Sequence, residues 1–174
     1  MEWGKGWWSS GLLDQIIPWL THLGSLLALL VFITVSCVII KRKVVIFTLV
    51  SLYGALIGSV YGLKYLIARP RPFQTLAMAQ TLSRIRAEVI DPGFPSAHSA
   101  YAFVMATLLG HWFPKYRILF YILAGLIGWT RIYLFLHYPT DVIAGALLGY
   151  GATKMALHLV RSFPGPGKIK NFRH

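Results

Sequence analysis

Long apolar stretches separated by short basic loops dominate this sequence, and they leave few folds open to it. Runs of about 20 apolar residues are long enough to cross a bilayer core of roughly 30 Å. The pattern predicts an all-α, polytopic membrane bundle with five spans: 26–40, 44–68, 96–113, 118–137 and 139–160. Residues 1–10 read as an interfacial lead-in. Residues 11–23 mix Leu12, Leu13, Ile16, Ile17 and Leu20 with Asp14, Gln15, Thr21 and His22, the pattern of an amphipathic helix at the membrane edge. The one long loop, 73–94, carries Leu76, Ala77, Met78, Leu82 and Ile85. These suggest a short helix lying on the membrane, with Arg84 and Arg86 toward headgroups. The tail 161–174 is basic and rich in Gly and Pro, and reads as flexible. A chain of 174 residues has room for a single domain, 1–174.

Charge needs the same context. A net charge of +12 on a soluble protein would suggest nucleic acid. Here 56% of residues are hydrophobic and 13% charged, and most of the bases sit in loops and at termini between apolar spans. That distribution fits anionic headgroups and topology control, with no nucleic-acid partner. The tryptophans, Trp3, Trp7, Trp8, Trp19, Trp112 and Trp129, fall mostly near segment ends, as in an interfacial belt. No cleavable signal peptide is expected, because no small-residue cleavage site follows a basic start and short apolar run. Cys37 reads as a packing residue. Gly54, Gly58 and Gly62 place a small-residue stripe on one face of the second span, which suits close helix packing.

Three fragments carry the chemistry. Lys64 precedes Arg71-Pro72 by seven positions, with Arg69 between them. Each of these bases taken alone can be explained as a side chain reaching for lipid headgroups. Pro95-Ser96-Ala97-His98 opens a span. Ser96 suits an N-cap, and the exposed first-turn amides attract an anion. His98 in that turn can donate a proton to a phosphate ester oxygen, or be an interfacial histidine. Thr130-Arg131 is followed by His137 and Asp141. Asp141, after Pro139, suits the first turn of a helix, where a carboxylate also complements the dipole. It lies within reach of His137, fixing one ring nitrogen as donor and leaving the other as a nucleophile. A charged Arg131 at membrane depth points to function. Alternating chain direction can bring all three fragments to one side of the membrane as a single anion site.

These fragments resemble the type 2 phosphatidic acid phosphatase superfamily, whose bacterial members are integral-membrane lipid phosphatases. The family's Lys, six residues, Arg-Pro motif matches Lys64, Arg71 and Pro72. Its Pro-Ser-Gly-His appears as Pro95-Ser96-Ala97-His98, with Ala97 for Gly. Its Ser-Arg, five residues, His, three residues, Asp appears as Thr130-Arg131, His137 and Asp141, with Thr130 for Ser. The resemblance covers about residues 50 to 155. It implies that His137 attacks phosphorus, Asp141 orients it, and His98 protonates the leaving oxygen and then activates water. Lys64, Arg71, Ser96, Ala97 and Arg131 would bind the phosphoryl group, with Arg69 contacting the second phosphate of a diphosphate lipid. No metal or other cofactor is implied.

The expected partner is a lipid phosphate in the membrane. Undecaprenyl diphosphate is the first candidate, with phosphatidylglycerophosphate and lipid A as alternatives. A non-catalytic lipid-binding or transport protein would use the same basic pocket but leave the His137 and Asp141 pairing unexplained. A haloperoxidase shares the motifs, but known examples are soluble. The loop bases place 41–43, Lys115, Arg117, Lys154 and the tail in the cytoplasm, so the site faces outward from the cell membrane.

Overall fold

A computed structural model describes residues 11–39, 43–75 and 91–162. The lead-in 1–10, the loop stretch 76–90 with Arg84 and Arg86, and the tail from 163 onward lie outside the described residues. All regular elements among the described residues are helical: α1 (Gly11–Thr21), α2 (Leu26–Ile39), α3 (Lys43–Ile67), α4 (Pro72–Thr75), α5 (Ala97–Trp112), α6 (Arg117–Tyr133) and α7 (Pro139–Ser162). Short 3-10 turns join α1 to α2 and α5 to α6.

Membrane-crossing length is met by two segments, Leu49–Thr75 and Pro139–Val160, among the described residues. Gln15–Gly24 and Leu26–Val38 make a third if the pair, bent by 46°, is one span. The helices α5 and α6 have 16 and 17 residues, or about 25 Å at 1.5 Å per residue, less than a full hydrocarbon thickness. The span expected to end at His137 stops instead at Tyr133. Phe135 takes a φ of 55°, and the N–H groups of Leu136 and His137 both return to the Arg131 carbonyl. That left-handed turn closes the helix C-terminus and lifts His137 out of the helix.

α5 sits at the centre. Ser99, Ala100, Tyr101 and Ala102 are all buried in succession, as in a helix surrounded on every side. Tyr101, Val104 and Leu108 pack with Leu49, Tyr53, Leu56 and Val60 of α3 and Leu29 of α2. Ala102 and Ala106 pack with Ala124 and Ile127 of α6. The outer faces stay apolar: Leu27, Val31 and Val35 on α2, Ile118, Ile122 and Leu126 on α6, and Ile143 and Leu147 on α7 are exposed. Exposed apolar faces this extensive suit contact with lipid chains rather than water.

The closest helix approach is between α5 and α7, and glycine makes it possible. A Cβ at Gly145 would collide with the Ser96 carbonyl, and one at Gly149 with that of Ala100. By contrast, Gly54, Gly58 and Gly62 have no described atom near a would-be Cβ. The packing glycines are therefore Gly145 and Gly149, and the stripe on α3 faces outward. Two substitutions test this. Gly149→Ala should lower the thermal unfolding midpoint in detergent, at a cost of about 1–3 kcal/mol for overpacking. Gly58→Ala should leave the midpoint essentially unchanged. Equal effects would contradict the assignment of the α5–α7 seam.

Candidate active site

Three chain segments converge at one end of the bundle. The first is the C-terminal end of α3 with the loop into α4. Ala68 takes a φ of 47°, and its N–H bonds the Lys64 carbonyl at 2.8 Å, which ends α3 and turns Arg69-Pro70-Arg71 back over the bundle. The second is the stretch from Asp91 into α5. Ser96 caps α5, its hydroxyl accepting from the Ser99 N–H and hydroxyl at 3.4 and 3.0 Å. The third is the α6–α7 turn. Pro139 starts α7, and Asp141 Oδ2 accepts the Tyr138 N–H at 2.9 Å. The Ser96 N–H donates to the Asp141 carbonyl at 3.0 Å, so the starts of α5 and α7 lie side by side with their positive dipole ends together.

Buried cations fill the space between these segments. Lys64 and Arg71 are 1% and 2% exposed. Both reach Asp91: Lys64 Nζ lies 2.8 Å from Oδ2 and Arg71 Nη2 2.8 Å from Oδ1. Lys64 also donates to the Pro92 carbonyl at 2.6 Å, and Arg71 Nε to the Asp91 carbonyl at 2.8 Å. Burial alone would raise the Asp91 carboxyl, but the Lys64 hydrogen bond and the two cationic charges outweigh it and hold it below the usual carboxylate range. Arg131, on α6, is also buried and donates through Nη1 to Thr21 Oγ1 at 2.7 Å. Thr130 bonds the same Thr21 hydroxyl at 3.1 Å. His98 on α5 lies within electrostatic reach of Arg131, His137, His22 and Arg71.

The geometry at His137 fixes its tautomer. Arg71 Nη1 lies 3.2 Å from Nε2, and a guanidinium only donates. Nε2 is then the lone-pair nitrogen, and the proton sits on Nδ1. Nδ1 faces Asp141 Oδ2 at 3.7 Å, beyond hydrogen-bond length, and has no other partner. Burial, with the charges of Arg71, Arg131 and Lys64 added, pushes the imidazole down to about 4 despite the opposing effect of Asp141. It is therefore neutral near pH 7.

Asp141 itself is held from the other side. Arg69 Nη1 donates to Asp141 Oδ1 and to Thr140 Oγ1, each at 2.7 Å, and its guanidinium lies 4.2 Å above the Tyr138 ring. The site expected from the sequence thus comes together: Lys64, Arg71, Ser96, Arg131, His137 and Asp141 are buried at this end, and Ala97 is the first residue of α5 beside them. Arg69 is engaged with Asp141. The sequence reading did not single out Asp91 or Thr21 as site residues, although each bonds a site cation.

Comparison with known proteins now bears on this geometry. The family model described as the PAP2 superfamily matches residues 19–163. The chain belongs to the PAP2 superfamily. It is similar to the phosphatidylglycerophosphatase B of Bacillus subtilis, 31% identical over 92% of this chain and 79% of that protein. It is also similar to an undecaprenyl-diphosphatase of Sulfolobus acidocaldarius, 32% identical over 71% of this chain and 58% of that one. Among solved structures, the crystal structure of Aquifex aeolicus LpxE superposes with a TM-score of 0.71 at 28% identity, covering 87% of this chain and 88% of that one. The chain spans less than two thirds of the length of most of the curated relatives it matches.

Within the PAP2 frame, the placement of Arg69 yields a test. The hydrogen bonds of Arg69 to Thr140 and Asp141 both use Nη1, so a contact with a second phosphate could use its other N–H groups without breaking them. If Arg69 only keeps Asp141 in place, Arg69→Ala should lower turnover on monophosphate and diphosphate lipids by similar factors, about tenfold for a lost charge-assisted hydrogen bond of roughly 1.5 kcal/mol. Rates measured in parallel on both substrate classes decide it. A loss confined to the diphosphate would return Arg69 to the substrate.

Proposed function

We propose that this PAP2 chain is an integral-membrane lipid phosphatase acting through a phosphohistidine, with undecaprenyl diphosphate as its substrate. The observation that carries the reading is the geometry of His137, with Nε2 3.2 Å from Arg71 Nη1 and Nδ1 turned to Asp141. In this reading Nε2 attacks phosphorus, and His98 gives a proton to the departing oxygen. A water then loses its proton to His98 and attacks the phosphohistidine, breaking the N–P bond and releasing phosphate. The positive charge that develops on the imidazole is offset by Asp141, whose 3.7 Å separation from Nδ1 can tighten in the substrate complex.

Charge balance supports a phosphoryl dianion. Lys64, Arg71 and Arg131 have one nearby carboxylate to offset them, Asp91, because Asp141 is already paired with Arg69. Three cations less one anion leave two positive charges among the described residues. Ser96, Ala97 and the amides of the first turn of α5 add donors to the same seat. The reading needs no metal: Asp91 and Asp141, the described carboxylates at the site, are both bonded to cations. The similarity to an undecaprenyl-diphosphatase favours the diphosphate carrier lipid, and that to phosphatidylglycerophosphatase B keeps phosphatidylglycerophosphate as the second candidate. A non-catalytic lipid carrier has no use for a neutral histidine held in one tautomer. In this reading the chain crosses the membrane five times as a single domain, its basic loops lie in the cytoplasm, and the site faces outward.

The chemistry is tested by phosphate release from purified protein in detergent. His137→Ala should abolish turnover, EDTA should not affect the wild type, and vanadate should inhibit it. Near-normal rates in His137→Ala, or magnesium-dependent recovery after chelation, would overturn the reading. The pH dependence adds a check. A neutral nucleophile whose protonation falls at about 4 loses activity only as the pH drops toward that value. In His98→Ala, with an aryl phosphate whose leaving group needs no proton, the rate should stay flat from pH 7 down to about pH 5. A midpoint near the ordinary histidine value of about 6.5 would contradict it.

Orientation is tested by labelling. Gln74 lies exposed at the site end, and Lys115 lies exposed in the turn at the opposite end of α5. Cysteine at Gln74 should react with an impermeant reagent in intact cells, and cysteine at Lys115 only after permeabilisation. The reverse pattern would put the site in the cytoplasm.

A further inference from the structure

The Asp91 carboxylate occupies a place that the proposed chemistry reserves for substrate. Its two oxygens take the Nζ of Lys64 and the Nη2 of Arg71, each at 2.8 Å. Those two side chains belong to the motif that, on the phosphatase reading, receives the phosphoryl oxygens. One carboxylate bridging a lysine and an arginine presents two anionic oxygens to two donors, the arrangement two oxygens of a phosphate would adopt. Lys64 and Arg71 are almost wholly buried, while Asp91 is 30% exposed. The cations are therefore fixed parts of the bundle, and the carboxylate is the partner at the solvent edge. Asp91 follows directly on the loop stretch that leads into Pro92 and Gly93, outside any helix. By contrast Asp141, wholly buried at the start of α7, is tied to Arg69 and the Tyr138 N–H and cannot leave without unmaking the helix start.

We propose that Asp91 is an internal counter-anion: it pairs with Lys64 and Arg71 while the seat is empty, and a lipid phosphate must displace it from them to bind. The inference rests on the phosphatase reading and extends it to how the seat is occupied. Two buried, unpaired cations would be costly, so the empty site gains from a carboxylate. The same pairing raises the dissociation constant of every incoming anion by one common factor. An enzyme embedded in membrane is surrounded by phosphodiester headgroups, each a monoanion that binds weakly. Raising the threshold keeps those off the site, whereas a phosphomonoester or diphosphate, with more charge to meet the remaining cations, still displaces the carboxylate. Asp91 in this role sets the threshold an anion must exceed to occupy the seat, and takes no part in bond making.

The opposite role is equally concrete. If Asp91 only positions Lys64 and Arg71, then removing its charge misplaces them and weakens every anion. Asp91→Asn keeps the shape and removes the charge, so the two roles predict opposite signs. In full-length protein purified in detergent, Asp91→Asn should lower the vanadate inhibition constant by about tenfold, the effect of one charge-assisted pair no longer in competition. Phosphatidylglycerol added to the micelles should inhibit the wild type weakly and Asp91→Asn at correspondingly lower mole fraction. The vanadate-induced rise in the unfolding midpoint should be larger in the variant than in the wild type, a readout independent of turnover. If Asp91→Asn does not fold, Asp91→Ser, which removes the carboxylate and keeps a hydroxyl, carries the same expectation. Unchanged or raised inhibition constants, or a smaller vanadate-induced shift, would overturn the counter-anion role while leaving the phosphatase reading standing. A wild type that neither releases phosphate from any lipid nor binds vanadate would remove the phosphatase reading and this inference together.

Discussion

The backbone contact between α5 and α7 governs the position of everything at the site. Gly145 lies against the Ser96 carbonyl and Gly149 against the Ala100 carbonyl. With no side chain between them, the two helices run close enough for the Ser96 N–H to bond the Asp141 carbonyl. Two helix starts are thereby held at one level, with their positive dipole ends together. Asp141 and Ser96 come from fragments more than forty residues apart, yet their relation is fixed by main-chain atoms. A side chain at either glycine would part the helices near the point where Ser96 meets Asp141.

Around that seam the buried charges are held by partners from far along the chain, although Arg131 Nε has none among the described residues. Thr21 at the end of α1 holds both Thr130 and Arg131. Arg69 holds Asp141, and Asp91 bridges Lys64 and Arg71. A cation buried in an apolar bundle without such partners would be strongly destabilising, so these pairs stabilise the fold and orient the site together. The N-terminal segment owes its place here to Thr21 and to Gly24, where a side chain would meet Ile127 and the His98 carbonyl. The α1–α2 bend is thus a wall of the site as well as an entry into the membrane.

Much of this was legible in the sequence, and the limits are physical. Apolar run lengths gave α3 and α7 to within about two residues, because a long uniform run ends only where Pro or charge interrupts it. The spacing from Lys64 to Arg71 and from Arg131 to Asp141 singled out residues that the fold brings to one end of the bundle, because those residue types are expensive at membrane depth unless used. Asp91 escaped notice because an Asp-Pro-Gly segment already reads as a turn. Thr21 escaped because a threonine in an amphipathic stretch carries no signal of a partner 110 residues away. The glycine stripe misled for a related reason: small residues permit close packing, but only the neighbouring helix decides which stripe is used. Gly54, Gly58 and Gly62 satisfy the spacing on a face that meets no described residue.

The end of α6 shows how local backbone cost is turned to the site. Sequence periodicity carried the helix through His137, since Leu134 and Leu136 are as apolar as the residues before them. The chain instead places Phe135 in the left-handed region, an uncommon state for a bulky residue, and Ala68 does the same at the end of α3. Neither position is glycine, so each turn carries conformational strain of order 1–3 kcal/mol that surrounding contacts must outweigh. The two turns supply those contacts to one another. The Phe73 N–H donates to the Phe135 carbonyl at 3.3 Å, and Arg71 Nη1 donates to the Leu136 carbonyl at 2.9 Å. The same Arg71 nitrogen faces His137 Nε2. The loop that carries Arg71 and the loop that carries His137 are therefore braced against each other. Relaxing either turn into continued helix would carry His137 or Arg71 away from the position in which one sets the tautomer of the other.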